Sequence, residues 1–322
     1  MYERSANIGD SSPAMTKRKK IILGVLTIVI GLLVALILTA FACFSIMDKT
    51  NGTIVSSGVT RRYLLYVPKT YDRSKPTPLI LSFHPGATWP AVEKNISRWN
   101  DLADEHGFIV VYPEGSGFLF GGLGPGPQIW PGEPEDVKFI SDLIAKLQGA
   151  YNIDANRIYV NGMSNGGGMA FQLTCELPGR FAAVGVVSGA YPQKEDPCGN
   201  YQPVAAVMFH GTGDKIAPYQ GGRSPIAPFP FANIPDWTAH VAQRNQCKGD
   251  PIETRISPSV RRLAYANCAE NADVILFTIE GGGHTWPGGK HLAEWIAGRT
   301  TEDINASRVM WEFFAQHPRE PK

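Results

Sequence analysis

The chain has 322 residues, of which 43% are hydrophobic and 18% charged, and its formal net charge at pH 7 is +1. These proportions are typical of a globular protein, and no basic stripe marks a nucleic-acid binder, so no nucleic-acid partner is predicted. Glycine and proline, 34 and 25 residues, stay below the level of disordered low-complexity chains.

The N-terminal segment differs from the rest of the chain. A basic cluster at residues 17–20 precedes an uncharged apolar run over residues 21–42. As a helix, this run would span roughly 33 Å, enough for a bilayer core. We predict a cytoplasmic tail of residues 1–20, a transmembrane signal anchor at residues 21–42, and an extracellular or lumenal domain. The alternative is secretion after cleavage of a signal peptide near Ala42, although the apolar run is longer than a usual signal.

The domain predicted over residues 52–322 alternates between strand-like and helix-like stretches. Short apolar runs predict strands at residues 62–67, 78–83, 108–112, 158–161, 183–187, 204–209 and 274–278, the first of them antiparallel. Apolar residues at helical spacing predict helices at residues 137–151, 166–175, 237–246 and 307–316. This alternation predicts an α/β fold with a mainly parallel central sheet flanked by helices.

The pentapeptide Gly162-Met163-Ser164-Asn165-Gly166 lies between a predicted strand and a predicted helix. A serine on a tight turn of this kind has its hydroxyl exposed to a base, and flanking glycines permit the cramped backbone. The position predicts Ser164 as a catalytic nucleophile. Since such pentapeptides also occur by chance, the prediction depends on this placement and on two partners downstream.

A serine nucleophile needs a base, and the base needs a carboxylate partner. Asp214 ends the segment His210-Gly211-Thr212-Gly213-Asp214, directly after a predicted strand, and His284 follows a later strand in a glycine-rich turn. The order Ser, Asp, His is that of the α/β-hydrolase fold, and catalytic groups gather at the carboxyl ends of parallel strands. We predict Asp214 as the orienting carboxylate and His284 as the general base.

Three other residues compete for these roles. His210 ends a predicted strand and is expected to brace the turn. Asp136 begins a predicted helix and is expected to cap it. Asp273 precedes its strand, at the opposite edge of the sheet.

An acyl transfer through a tetrahedral intermediate also needs an oxyanion hole. One donor is predicted to be the backbone N–H of Asn165, where the helix after the nucleophile begins. The second is predicted in the loop after the strand at residues 78–83. Because Pro85 has no N–H, Gly86 is the predicted donor, with Ala87 next in line.

Four of the five cysteines lie in the domain predicted over residues 52–322: Cys175, Cys198, Cys247 and Cys268. An even number fits two disulfides in an oxidising compartment, and three connectivities are open. No C-x-x-C pair occurs, so no zinc site is predicted, and neither another metal nor a cofactor is expected. Three sequons predict N-glycosylation of a secreted eukaryotic protein, at Asn51, Asn95 and Asn305.

These residues together resemble the polyhydroxybutyrate-depolymerase-like esterases, a family that includes feruloyl esterases. The resemblance spans about residues 55–317 and rests on the motifs at residues 135–140, 162–167, 210–214, 283–288 and 311–314. It implies an α/β-hydrolase fold and a serine carboxylic ester hydrolase that works through an acyl-enzyme. It also implies a disulfide between Cys247 and Cys268 and suits one between Cys175 and Cys198. The N-terminal segment and Pro85, where the family usually has glycine, depart from its pattern.

The resemblance favours a polyester or a hydroxycinnamate ester as substrate. Trp286 follows the predicted base directly, so it is expected to line the cleft together with Trp130 and Trp89. Charged residues are sparse in these loops, which argues against a strongly ionic substrate. Two alternatives remain, a membrane-tethered binding domain without catalysis, which Pro85 favours, and a serine peptidase on the same fold.

Overall fold

The computed structural model describes residues 17–18, 25–35, 49–118, 128–192, 198, 201–225 and 229–320. The chain divides into two compact units, Met1–Ile46 and Met47–Lys322, and each is described by itself. In the first unit, residues 25–35 form helix α1 with exposed side chains. None of the helices in these ranges is long and apolar enough to cross a bilayer. The predicted anchor, residues 21–42, extends beyond the described helix at both ends.

The second unit contains alternating strands and helices. The strands are β1 (Gly52–Ser56), β2 (Val59–Tyr66), β3 (Thr77–Phe83), β4 (Ile109–Pro113), β5 (Gly117–Phe118), β6 (Gln128–Ile129), β7 (Ile153–Met163), β8 (Ala183–Val187), β9 (Ala205–Gly211), β10 (Ile252–Ser257), β11 (Val260–Tyr265) and β12 (Val274–Ile279). The helices are α2 (Pro90–Ser97), α3 (Trp99–His106), α4 (Pro134–Ala150), α5 (Asn165–Glu176), α6 (Ile234–Arg244), α7 (Glu294–Ala297) and α8 (Ala306–Gln316).

Most of the strands form one large sheet. Its order is β1-β2-β4-β3-β7-β8-β9-β12-β11-β10, and β5 and β6 form a separate two-stranded sheet. The central strands from β4 to β12 run parallel to their neighbours. Antiparallel strands flank them on both sides. The mainly parallel α/β sheet is therefore as predicted, and the carboxyl ends of β7, β8, β9 and β12 lie side by side.

The central strands are buried on both faces, and their side chains alternate between two cores. On β3, Leu79 and Leu81 belong to one core and Ile80 belongs to the other. Helices α4, α5 and α6 cover the first core, and α2, α3 and α8 cover the second. Short continuous apolar runs are expected from strands covered on both faces, which is why the sequence revealed these strands.

The predicted strands and helices are confirmed within a few residues, but several elements were not predicted. The edge strands β1 and β10 and the neighbouring β11 are among them, as are α2 and α3. Most positions of β10 are exposed, so the strand contains no continuous apolar run. Helices α2 and α3 have eight residues each, which is too short for a periodic signal to emerge.

Candidate active site

Ser164 lies on the turn between β7 and α5 and has an unusual backbone conformation. Its φ is 55° and its ψ is −122°, a region that a residue with a side chain rarely adopts. The Ser164 N–H donates to the Val187 carbonyl at the end of β8 over 2.9 Å. Its own carbonyl accepts from Gly168 at 3.0 Å and from Ala190 at 3.1 Å. The predicted nucleophile is thus held in a strained turn by the neighbouring strand.

Glycines allow this turn to approach the rest of the sheet. A Cβ on Gly166 would collide with the carbonyl oxygens of Phe83 and His84, and a Cβ on Gly162 would meet the Gly166 carbonyl. These neighbours are backbone atoms, which cannot rotate away as a flexible side chain can. The two glycines of the pentapeptide are therefore required by packing against the end of β3.

Asp214 and His284, the predicted acid and base, are in direct contact. The Nδ1–H of His284 donates to Asp214 Oδ2 over 2.7 Å. The other carboxylate oxygen, Oδ1, accepts from the backbone N–H groups of Ile216 and Ala217, each at 2.8 Å. With its proton on Nδ1, His284 has a lone pair on Nε2, so this atom can accept the proton of a hydroxyl.

A second histidine shares the same carboxylate. His210 Nε2 lies 3.4 Å from Asp214 Oδ2 and 2.8 Å from the Ala217 carbonyl oxygen. Burial alone would raise the pKa of Asp214, but hydrogen bonding from His210 and His284 outweighs it and holds the pKa below its usual range. The carboxylate is therefore ionised near neutral pH. His210 braces the Asp214 turn through Ala217, as the sequence predicted.

The three turns that carry Ser164, Asp214 and His284 follow β7, β9 and β12, at one edge of the sheet. Among the described residues no hydrogen bond joins the Ser164 hydroxyl to the His284 ring. The competitors of Asp214 lie elsewhere. Asp136 is buried against Arg61 at 2.8 Å rather than capping its helix, and Asp273 precedes β12.

The loop after β3 lies against the start of α5. A Cβ on Gly86 would be 3.4 Å from the Cβ of Asn165, so the two predicted oxyanion donors are neighbours. Within the described part of the chain, the backbone N–H groups of Gly86, Ala87 and Asn165 donate to no acceptor. The Pro85 carbonyl accepts from the Thr88 hydroxyl at 2.6 Å. Donors of this kind can bind a developing oxyanion.

His84, which the sequence did not single out, holds this loop in place. Its Nδ1 contacts the Pro85 carbonyl at 2.9 Å, and its Nε2 accepts from the Gly115 N–H at 3.1 Å. Complete burial lowers the pKa of His84 to about 4. The ring is therefore neutral at physiological pH, and with one donor and one acceptor nitrogen both used it is a structural brace.

The Asn165 side chain connects the nucleophile turn to a neighbouring loop. Its Oδ1 accepts from the Trp130 N–H at 2.7 Å, and its Nδ2 donates to the Trp130 carbonyl at 3.0 Å. This two-point contact fixes the backbone after β6 beside the site. The partners are 35 residues apart in the sequence, and no local signal reveals the pair.

Both tryptophans predicted to line the cleft are instead buried. Trp286 is 1% exposed, belongs to the second core, and donates its ring N–H to Ser307 at 3.0 Å. The prediction for Trp286 is wrong, because its side chain turns inward although its neighbour His284 serves the site. Trp130 is 3% exposed and packs edge-to-face on Phe83 at 4.9 Å between ring centres. Its backbone borders the site, but its ring packs beneath the loop. The prediction that the Trp130 ring lines the cleft is therefore wrong as well.

A buried carboxyl group lies beneath the site. The Ser82 hydroxyl is 2.8 Å from both Glu93 Oε1 and Asn161 Oδ1. Asn161 Oδ1 also accepts from the Trp99 ring N–H at 3.0 Å, which fixes it as an acceptor. One hydroxyl proton cannot satisfy two acceptors, so Glu93 is protonated and donates to Ser82. Burial raises the pKa of Glu93 to about 8, which agrees with this count.

The predicted cysteine pairs and sequon asparagines all lie among the described residues. Disulfides join Cys175 to Cys198 and Cys247 to Cys268, as the resemblance implied. All three sequon asparagines are exposed. The Asn51 carboxamide bonds to Leu65, and Asn305 caps α8, while glycosylation itself stays a prediction. Among the described residues, no group of three or more acidic, histidine or cysteine side chains could hold a metal ion.

The chain is similar in sequence to several known proteins. The family model described as Esterase PHB depolymerase matches residues 61–196. The chain is 28% identical to feruloyl esterase B of Piromyces equi, over 71% of this chain and 44% of that protein. It is 27% identical to feruloyl esterase D of Neurospora crassa, over 83% of this chain and 86% of that protein. The chain thus spans less than half the length of the Piromyces relative.

Solved structures show the same fold at low sequence identity. An acetyl xylan esterase from Aspergillus awamori aligns with a TM-score of 0.55 and 14% identity, covering 82% of this chain and 98% of that chain. The native structure of sOPH aligns with a TM-score of 0.52 and 15% identity, covering 85% of this chain and 89% of that chain. The sheet is accordingly that of an α/β-hydrolase. In its motifs and its sequence matches, the chain is similar to the polyhydroxybutyrate-depolymerase-like and feruloyl esterases.

Proposed function

We propose that the chain is a serine carboxylic ester hydrolase that acts through an acyl-enzyme. The observation that carries this proposal is the 2.7 Å contact between His284 Nδ1 and Asp214 Oδ2, at the same sheet edge as the strained Ser164 turn. An oriented base with a free Nε2 has little purpose on this turn other than to accept a proton. The esterase relatives support the same reaction class.

The proposed reaction has two halves. Ser164 Oγ attacks the ester carbonyl carbon while His284 Nε2 takes its proton, and the N–H groups of Asn165 and Gly86 bind the oxygen that becomes negative. Collapse of this intermediate breaks the ester bond, and His284 returns the proton to the departing alcohol. Water then attacks the acyl-enzyme with His284 as base, which releases the acid and regenerates Ser164. Asp214 stabilises the imidazolium in both halves.

Pro85 does not weaken this proposal. The binding-domain alternative depended on it, because a proline removes one possible oxyanion donor. Here the Pro85 carbonyl is held by Thr88 and His84, and the next two N–H groups, of Gly86 and Ala87, meet no acceptor in the described structure. We therefore place the second donor at Gly86. No feature of the described site favours the peptidase alternative.

We propose a hydroxycinnamate ester or a polyester as the substrate. The relatives named feruloyl esterase and the PHB depolymerase family model support these two classes. Trp89, which is half-buried on the loop that bears Gly86, is the tryptophan left to contact an acyl group. Rates on methyl ferulate, on short p-nitrophenyl esters and on polyhydroxybutyrate film separate the classes. A Trp89→Ala variant should raise KM most for the preferred one.

We also propose that residues 21–42 anchor the protein in a membrane, with the second unit outside the cell or in the secretory lumen. The uncharged run after the basic cluster supports an anchor. Two disulfides support an oxidising compartment. Alkaline carbonate extraction should leave the chain in the membrane pellet, and a glycosidase should increase its mobility if the sequons are used. Recovery in the medium, shortened at the N-terminus, would favour the cleaved signal instead.

The nucleophile is tested by labelling with a serine-directed fluorophosphonate. The unchanged protein should be labelled and Ser164→Ala should not, because the probe needs an activated hydroxyl. Ser188→Ala is a matched control, since Ser188 directly follows the adjoining strand β8 and also has a positive φ, of 46°. Equal labelling of Ser164→Ala and the unchanged protein would disprove the proposal.

A further inference from the structure

One edge of the large sheet is open. Among the described strands, β10 is the last of the sheet and pairs only with β11. Residues 252–256 are all exposed, with Ile252 at 64% and Ile256 at 48%. No side chain or loop among the described residues bonds to the outer backbone groups of this strand. An edge of this kind presents free N–H and C=O groups to another strand.

The opposite edge of the sheet is different. Its last strand, β1, has its Thr53 carbonyl occupied by Lys146 Nζ of helix α4 at 2.8 Å. β1 carries no charged side chain, so nothing in its sequence would select one partner or one register. The open β10 edge is therefore the one that could recognise a specific strand.

The sequence of β10 is complementary to itself in the antiparallel direction. In a pair centred on Thr254, Glu253 lies opposite the partner's Arg255, and both residues precede the irregularity at Ile256. Residues directly opposite each other in such a pair have their Cβ atoms about 4.5–5.5 Å apart. Twofold symmetry repeats this contact, so one pairing brings together two opposite-charge pairs.

Other registers lose this match. A shift of two residues puts Glu253 opposite the partner's Glu253, or Arg255 opposite the partner's Arg255, and like charges directly opposite are destabilising. A shift of one residue puts an isoleucine opposite a charged side chain. The centred register is thus the one that the charges select.

We propose that β10 pairs antiparallel with β10 of a second copy of this chain, so that the two large sheets continue into each other across a twofold axis. Two features limit the length of the pairing. Pro251 directly precedes the strand, and an irregularity between Arg255 and Ser257 twists its end. The short contact makes a dimer that dissociates on dilution. The carboxyl ends of β7, β9 and β12, where the candidate active site lies, stay outside the contact.

Cross-linking of the full chain tests the central contact. In Thr254→Cys, the new thiol lies on the twofold axis opposite its own copy, so a short bismaleimide should join two chains into a band of twice the 35.1 kDa monomer. Val55→Cys is the matched control, because Val55 is 68% exposed on the other edge strand. Cross-linking of Thr254→Cys no stronger than that of Val55→Cys, or only to foreign proteins, overturns the proposal.

Charge reversal tests the register. In the Thr254→Cys background, Arg255→Glu or Glu253→Arg alone creates like-charge pairs and should reduce the cross-linked fraction about tenfold. When the two variants are mixed, each Glu meets an Arg of the other chain, so the cross-link should return as a mixed dimer. A mixture that stays monomeric, or single variants that still cross-link fully, contradicts the proposed register.

Amide hydrogen exchange provides a measurement without an introduced cysteine. Exchange at residues 252–256 should slow as the protein concentration rises, and it should not slow in Arg255→Glu. Exchange in β1 should be independent of concentration in both proteins. Concentration-independent exchange throughout β10 would overturn the dimer. Thermal unfolding and fluorophosphonate labelling of each variant show that the fold and the site are intact.

Discussion

The Ser164 turn and the Asp214–His284 pair are held in place by different forces. Ser164 is positioned by close backbone packing, which requires glycines at 162 and 166. Asp214 and His284 are positioned by hydrogen bonds to a buried carboxylate. The position of Ser164 depends on the lack of a Cβ at two glycines, whereas the positions of Asp214 and His284 depend on the charge of a carboxylate. A substitution that adds volume should therefore damage the first, and one that removes charge should damage the second.

The largest effect is expected on the charged side. Asp214→Asn keeps the shape of the turn but cannot accept the Nδ1–H of His284 as a carboxylate does, so the ring loses its required tautomer. We expect kcat to fall by about 10⁴-fold. Asp273→Asn, before β12, is the matched control and should keep full activity in an ester hydrolysis assay. If both variants had equal rates, Asp214 would not be the acid of the site.

On the packed side, Gly166→Ala adds one methyl group against the Phe83 and His84 carbonyls. We expect kcat to fall about 10²-fold, because a displacement of about 1 Å at the nucleophile is enough for such a loss. The free energy of unfolding should also fall by about 1–3 kcal/mol. Gly149→Ala on α4 is the control, since a Cβ there meets nothing within 4 Å. A fully active Gly166→Ala would show that packing does not position Ser164.

The buried Glu93 should make the free energy of unfolding depend on pH. Its pKa is raised from 4.5 to about 8 in the folded protein, so its contribution is complete below pH 4.5 and is lost as the pH rises towards 8. The loss should be roughly 4 kcal/mol of unfolding free energy. Glu93→Gln should remove this slope in urea unfolding measured at several pH values. The exposed Glu312→Gln should keep the slope, and a wild-type protein without it would contradict the assignment.

The smallest effect is expected at Trp286. Trp286→Phe loses the hydrogen bond to Ser307 and some packing in the second core. We expect the unfolding free energy to fall by about 1–2 kcal/mol, with KM for any ester unchanged. Thermal unfolding and steady-state kinetics on the same preparation separate the two effects. A changed KM with unchanged stability would show that Trp286 contacts the substrate rather than the core.

The chain order of the site could be read from the sequence because Ser164, Asp214 and His284 each follow a buried strand. Such strands are visible as apolar runs, and their carboxyl ends share one edge. The direction of a side chain after a turn is not visible, which is why Trp286 was misplaced. The brace at His84 and the contact between Asn165 and Trp130 join residues 31 and 35 positions apart. No local pattern encodes contacts of this range.

The Asn165 side chain has a consequence for selectivity. Asn165, whose backbone N–H we propose as an oxyanion donor, also contacts the Trp130 backbone at two points through its side chain. An ester that displaces the loop at Trp130 must also move the Asn165 side chain, and with it the backbone N–H of Asn165. The fit of the substrate should therefore affect kcat as well as KM, and a poorly fitting ester should react slowly even at saturating concentration.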